Sequence, residues 1–329
     1  LKYSFDGVDW FTADLSTNFS LEVAAGETVY MKGTNTSGFN RDSSNYYKMY
    51  MKVNHNIGGN IMSIVDEENY STITSVPDHC FTSLFYVDKY LVDAGDVNFG
   101  SVTSIGNGGC SYMYFDCTSL TTPTNLSNVT SIGNSGCSGM YGDCTSLTTP
   151  ADLSNVTSIG KSGCQVMYNC CTSLSTPEDL SNVTSIDSRG CSNMYNGCTS
   201  LTTPANLSNV TSIGNNGCNS MYYGCTSLTT PSDLSKVTSI GEAGCLSMYQ
   251  GCTSLTTPSD LSNVTSIGWG GCNNMYNGCT SLTTAIAPNV STWDTTTIKD
   301  WLHNVAPTGV VKKPAGLTIP TDSTSGVPT

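Results

Sequence analysis

Charge is what this sequence has least of. Asp, Glu, Lys and Arg make up 11% of its 329 residues, against roughly a quarter in ordinary globular domains. Basic residues are scarcest: 12 Lys and Arg face 25 Asp and Glu, a net charge of −13. Such a chain repels phosphate backbones, which excludes nucleic acid as a partner. There are three histidines, His55, His79 and His303. No His pair has metal-ligand spacing and no Cys-x-x-Cys occurs, so no zinc site is expected. His79 and Cys80 are sequence neighbours, and a catalytic Cys–His pair needs a spatial convergence that adjacency does not supply. No run of 18 or more apolar residues exists, so no membrane span is expected. An initial Met is also missing: the chain starts at Leu1, as a processed or trimmed product would.

Ser, Thr, Asn and Gly fill the place of the missing charge. A surface of hydroxyls and amides is typical of extracellular and virion-surface proteins. Hydrophobic residues, at 38%, suffice for a core.

What the chain has in abundance is repetition. Seven copies of a 27-residue unit fill residues 99–287, typified by LSNVTSIGNSGCSGMYGDCTSLTTPAD from Leu126 to Asp152. One cysteine column runs Cys110, Cys137, Cys164, Cys191, Cys218, Cys245, Cys272; a second runs Cys117, Cys144, Cys171, Cys198, Cys225, Cys252, Cys279. A strict period of this size means a solenoid, whose units bury their apolar faces only against their neighbours. Cys80 and Cys170 complete the sixteen cysteines. Pairing down a column of seven leaves one thiol over, whereas pairing within a repeat leaves none but needs close β-carbons. The alternative is a ladder of small buried thiols.

Within the unit, Cys137, Met140, Tyr141 and Cys144 have the spacing of one face of a two-turn helix. Gly133-Asn134 supplies a break and N-cap; the glycine before the second cysteine in later copies suits a left-handed C-cap. Cys170, at that position, reads as a tolerated substitution. Ser146–Pro150 and Val156–Ile159 are short β-prone pieces separated by a turn. Each would add one strand per copy to a parallel sheet, with rungs about 4.7–4.9 Å apart and a rod on the order of 30–35 Å long.

Both ends look degenerate, as solenoid caps do. Cys80–Phe99 resembles a decayed copy, and Asp294–Val305 reads as an amphipathic helix with Ile298, Trp301, Leu302 and Val305 on one face. Tyr3/Phe5, Leu21/Val23, Val29/Met31 and Met49/Met51/Val53 alternate like half-buried strands. The expected organisation is a small β-sandwich-like domain at 1–58, a joint and N-capping repeat at 59–98, the repeats at 99–287, and a C-terminal cap with a short helix and irregular tail at 288–329.

These residues resemble the BspA-like leucine-rich repeat surface proteins of bacteria and their phages. The carrying motif is Met-Tyr-Asn-Gly-Cys-Thr-Ser-Leu-Thr-Thr at Met194–Thr203. Gly59–Ser63 and the Trp301-Leu302, Val305-Ala306, Gly309 pattern agree with segments that often accompany it. Leu-Thr-Thr-Pro stands where the usual Leu-x-Leu strand would be. The resemblance implies a right-handed α/β solenoid of leucine-rich-repeat type used for adhesion, with no catalytic residues to carry over. No cofactor is expected, Ca²⁺ apart.

The column Asn125, Asp152, Asp179, Asn206, Asp233, Asp260 could line Ca²⁺ ligands along one edge, although isolated carboxylates at a solvated turn are ordinary. Asn-x-Ser/Thr sequons recur at Asn128, Asn155, Asn182, Asn209 and Asn263; an asparagine ladder is the preferred reading. The Thr148-Thr149 equivalents form a hydroxyl array that raises ice binding as an outside reading. The copies differ mainly at solvent positions of the expected helix, including Tyr112, Phe115, Val166, Tyr223, Leu246 and Trp269, which are the candidate contact residues. Drift at unconstrained surface sites explains the same variation equally well.

Two functions follow as expectations. The first is a non-enzymatic cell-surface or virion-surface adhesion module that binds a glycan or protein through many weak contacts. The second is a structural spacer or fibre segment with no ligand of its own. Assembly into a homo-oligomer or filament is compatible with either.

Overall fold

The computed structural model describes residues 1–14, 20–24, 26–36, 39, 48–49, 51–291, 298–306 and 309–318. The chain begins with Lys2–Ser4 (β1), which pairs antiparallel with Phe11–Thr12 (β2) and Tyr30–Lys32 (β3). Tyr3 stacks on Phe11 at 5.5 Å and meets Phe5 edge-on. Lys2 and Lys32 lie 2.5 and 3.4 Å from Glu67, tying this sheet to the segment after it. These three strands form one sheet, in the order β2-β1-β3. Leu21 and Val23 lie outside strands.

The solenoid takes over at His55–Asn60 (β4). Ser75–Val76 (β5) starts one column of strands, and Leu91–Asn98 (β6) pairs parallel with β4 in another. The first column continues as Ser104–Ile105 (β7), Ser131–Ile132 (β8), Ser158–Ile159 (β9), Ser185–Ile186 (β10), Ser212–Ile213 (β11), Ser239–Ile240 (β12) and Ser266–Ile267 (β13). All its hydrogen-bonded pairs are parallel and in register, Ser on Ser. The side-chain period of two turns each Ile into the core and each Ser toward solvent. Identical neighbours every 27 residues leave no competing register.

No α-helix exists among the described residues, which corrects the α/β expectation. The segment from the first to the second cysteine is a spiral of consecutive tight turns. Met113 and Phe115 donate their N–H to Cys110 and Tyr112, three residues back, at 3.2 Å. Tyr112 and Tyr114 donate instead to Ser138 and Met140 on the next coil, at 2.8 and 2.9 Å. Alternate amides therefore bind along the coil and across coils. Every fourth residue is left-handed: Gly108, Tyr112 and Asp116 have φ of 60°, 54° and 60°. A four-residue period buries positions i, i+3, i+4 and i+7 just as a helix face does, so the spacing that suggested a helix does not separate the two.

The coil count also differs. This turn spiral recurs about nine times rather than seven, because described residues of both end segments join its hydrogen-bond pattern. Phe81 and Phe85 donate to Gly109 and Met113, and Asn274 and Tyr276 donate to Lys299 and Trp301. Residues 298–305, read as part of a helix, are turns; 292–297 lie outside the described residues.

A second strand column exists only at the ends, as β4–β6 and as Thr284–Ile286 (β14) with Val310–Lys312 (β15). Between them only isolated bonds run, such as Thr202 N–H to Ser175 O and Thr229 N–H to Thr202 O. The cause is Pro123, Pro150, Pro177, Pro204, Pro231 and Pro258, which lack the donor a ladder needs. Ala94 and Ala285 occupy that column in the end coils, where the strands form.

The core is a set of side-chain ladders. Phe85, Tyr114, Tyr141, Tyr168, Tyr195, Tyr222, Tyr249 and Tyr276 stack 5.4–5.7 Å apart within 8° of parallel, and Trp301 closes the series. Each such contact is worth about 0.5–1.5 kcal/mol beyond its buried area. Ala151, Ala205, Ser232 and Ser259 donate their N–H to the next coil's Tyr hydroxyl at 3.0 Å. All sixteen cysteines are free thiols. The second cysteine column has a bonding role: Cys144, Cys171 and Cys252 donate S–H at 3.0 Å to the carbonyls of Tyr114, Tyr141 and Tyr222. Burial pushes the thiols up, Cys137 and Cys218 to about 12, so a reactive thiolate is rare at ordinary pH.

At the N-terminal end His55 Nε2 sits 3.3 Å from the buried carboxylate of Asp88. Burial opposes charge on His55, but the hydrogen bond to Asp88 and its charge outweigh that and raise the imidazole above its ordinary 6.5.

Two predictions follow from this packing. In the folded protein, alkylation with iodoacetamide at pH 8 adds at most one adduct by intact mass, at the half-buried Cys170, and sixteen after denaturation; several adducts on folded protein would refute the buried ladder. The raised His55 gives stability that is full below about pH 6.5 and lost as pH rises through its folded value. His55→Gln should therefore flatten the pH dependence of the unfolding midpoint above pH 6.5.

Candidate functional site

The outward face of the β7–β13 column is built from Thr-Ser-Ile-Gly units. Thr130, Thr157, Thr211, Thr238 and Thr265 donate Oγ1–H to the carbonyl of the equivalent Thr one coil back, at 3.1–3.3 Å. That bond consumes the threonine hydroxyl, while the serines beside them stay half-buried or exposed. From Thr157 to Gly268 this face forms a shallow groove of about 1000 Å³, with Asp187 and Glu242 on its rim. It offers a row of hydroxyls at the strand spacing, about 4.7–4.9 Å, and no side chain arranged for acid–base or nucleophilic work. Such a row suits hydrogen bonding to an extended, repetitive, uncharged partner.

Two neighbouring residue columns have structural occupations. Asn125, Asp152, Asp179, Asn206, Asp233 and Asp260 each accept, through Oδ1, the backbone N–H two residues on, at 2.9–3.1 Å. These are Asx turns. No group of three or more His, Cys, Asp or Glu that could hold a metal occurs among the described residues. The sequon asparagines Asn128, Asn155, Asn182, Asn209 and Asn263 donate Nδ2–H to carbonyls of the preceding coil at 2.6–3.0 Å. Lys236 stands in this column and reaches Asn209 Oδ1.

The six candidate contact residues lie on the turn spiral and do not form one site. Tyr112 and Phe115 meet edge-on at 5.5 Å, and Phe115 stacks on Tyr86, a residue the period alone did not nominate because its coil is degenerate. A Cβ at Gly139 or Gly142 would lie 2.5 or 2.7 Å from these two rings. The rings thus fill space left by the next coil's glycines, although Tyr112 remains 38% exposed. Tyr223 and Trp269 are 42% and 66% exposed, while Val166 and Leu246 are half-buried, each on a different coil. The groove residues were missed because they hardly vary between copies, whereas the candidate contact residues were chosen for their variation.

Val166 has φ of 50°, a costly conformation for a β-branched side chain. Val166→Asn, the residue at positions 193 and 274, should raise stability by about 1 kcal/mol, read as a higher denaturation midpoint at unchanged m-value.

No family model matches this sequence, and no curated protein matches it. Several solved structures are similar at low identity. A leucine rich cell surface protein from Faecalibacterium prausnitzii is 16% identical over 96% of this chain and 95% of its own, with a TM-score of 0.36. The leucine-rich repeat protein of T. pallidum is 15% identical over 77% of this chain and 91% of its own, at 0.37. One from Eubacterium ventriosum is 17% identical over 88% of each chain, at 0.34. These superpositions are loose, and the architecture rests on this chain's own hydrogen-bond ladder. Among the described residues no helix is long and apolar enough to cross a membrane.

Proposed function

We propose that this protein is a non-enzymatic, surface-displayed recognition module that binds an extended, repetitive glycan or polypeptide along the Thr-Ser-Ile-Gly groove. The observation that carries the reading is the uniformity of that groove. Equivalent hydroxyls recur on every coil from β9 to β13, so a polymeric ligand gains a similar contact at each step, and avidity does the work of affinity. A surface low in charge, with an overall balance of −13, favours neutral partners over phosphate-bearing ones. Few charges and many hydroxyls also suit an extracellular setting.

The test is binding of the whole chain to a polysaccharide and cell-wall panel by interferometry. Ser212→Arg and Ser239→Arg, which place long cations in the groove, should weaken binding at least tenfold; Tyr223→Ser on the turn spiral should change it less than twofold. Equal loss from Tyr223→Ser, or no binding to any panel member, would count against the groove. In the second case the array acts as a spacer.

A further inference from the structure

The stacked strands do not form one continuous ladder. They divide into β5-β7-β8-β9 and β10-β11-β12-β13. At neighbouring steps Thr157 donates to Thr130 and Gly160 to Ile132, then Thr211 to Thr184 and Gly214 to Ile186, at 2.8–2.9 Å. At the step between β9 and β10 the corresponding bonds from Thr184 and Asp187 are not made. A second sign of loosening falls at the same step. Tyr168 and Tyr195 are 5.7 Å apart, the widest Tyr–Tyr spacing of the ladder.

Two residues specific to this coil account for it. Asp187 stands where Gly133, Gly160, Gly214 and Gly241 stand in other coils. A Cβ on Gly160 or Gly214 would lie 3.0 Å from backbone atoms of the preceding coil, so the Cβ of Asp187 holds the coils apart. Glu178 stands where Thr124, Ala151, Ala205, Ser232 and Ser259 stand. It is 4% exposed, and neither carboxyl oxygen has a hydrogen-bond partner. The Tyr195 hydroxyl is also left without one, and the bond from the Glu178 N–H to it, made by four of the equivalents, is absent. A buried polar group without a partner is costly, and an unpaired buried charge more so.

We propose that the step between β9 and β10 is a hinge dividing the solenoid into two rigid blocks, held closed while the Glu178 carboxyl is neutral and released when it ionises. The groups around Glu178 supply no counter-charge. Cys164 and Tyr168 lie before it, Cys191, Tyr195 and Cys198 after it, with Tyr222 beyond, all neutral at ordinary pH; Asp179 adds repulsion. Burial raises this carboxyl to about 7, with the neighbouring Tyr195 hydroxyl and the Glu178 backbone N–H pulling the other way. An acid raised in the closed state gives stability that is full below its hydrated value of 4.5 and is lost as pH climbs to about 7. Opening therefore increases across that window and levels off above it. The groove crosses this step, so the hinge sets whether its two halves are aligned.

Amide hydrogen exchange of the whole chain, corrected for intrinsic rates, tests this between pH 4.5 and 9. In the wild type the opening equilibrium at residues 184–198 should rise on the order of a hundredfold to pH 7 and then plateau. The β11–β12 step should stay flat. Glu178→Ala, which installs the residue found at 151 and 205, should be protected and independent of pH. Asp187→Gly should lower opening throughout but keep the slope. Should Glu178→Ala not fold, Glu178→Gln must likewise show no slope. A flat wild type, a slope that survives removal of Glu178, or an equal slope at β11–β12 would overturn the hinge. Because exchange needs no ligand, its outcome is independent of whether the groove binds anything.

Discussion

One constraint governs this molecule: no coil of 27 residues can satisfy its own amides or cover its own apolar face. Every second amide of the turn spiral donates to the next coil, and the amides between them close tight turns behind. The same dependence holds for side chains. Each tyrosine ring is covered by the next ring, and most tyrosine hydroxyls accept an amide from the coil before. Each second-column cysteine is bonded to a carbonyl of the preceding coil. Stability is thus a sum over nearest-neighbour interfaces, which makes the poorest interface the place where the rod gives way.

The constraint also explains what the surface can do. Positions that touch the next coil are held nearly constant, and that includes the strand face, since Thr-Ser-Ile-Gly uses its threonine hydroxyls and its glycines in coil-to-coil contact. The most uniform outward surface is therefore the one most closely tied to the backbone ladder. Several variable positions sit where the next coil leaves room, as Tyr112 and Phe115 do against Gly139 and Gly142. Variation between copies marks loose packing here, and uniformity marks the repeated chemistry available to a partner.

Much of this was legible in the residues. The period, the parallel strands at Val156–Ile159 and their equivalents, the inward cysteines and tyrosines and the atypical ends all follow from spacing. The turn spiral was not legible: Cys137, Met140, Tyr141 and Cys144 satisfy a 3.6-residue helix and a four-residue turn repeat alike. A clue lay two residues before the first cysteine, where Gly108, Asn216 and Gly270 stand, since Gly and Asn tolerate left-handed φ. Prolines in the Leu-Thr-Thr-Pro segment were read as turn residues, and they also interrupt the second strand column. Glu178 and Asp187 looked like ordinary variation, because burial of one copy's residue cannot be seen in a column dominated by alanine and serine.

By itself, then, the sequence determined that the chain stacks, with what repeat, and which side chains face inward, because a hydrophobic period is a local property that survives any closure of the coil. Tertiary structure decided how each coil closes, how many coils there are, and where the ladder breaks. Those depend on which amide meets which carbonyl across 27 residues of chain, and on whether one added Cβ or one buried carboxyl fits between two coils.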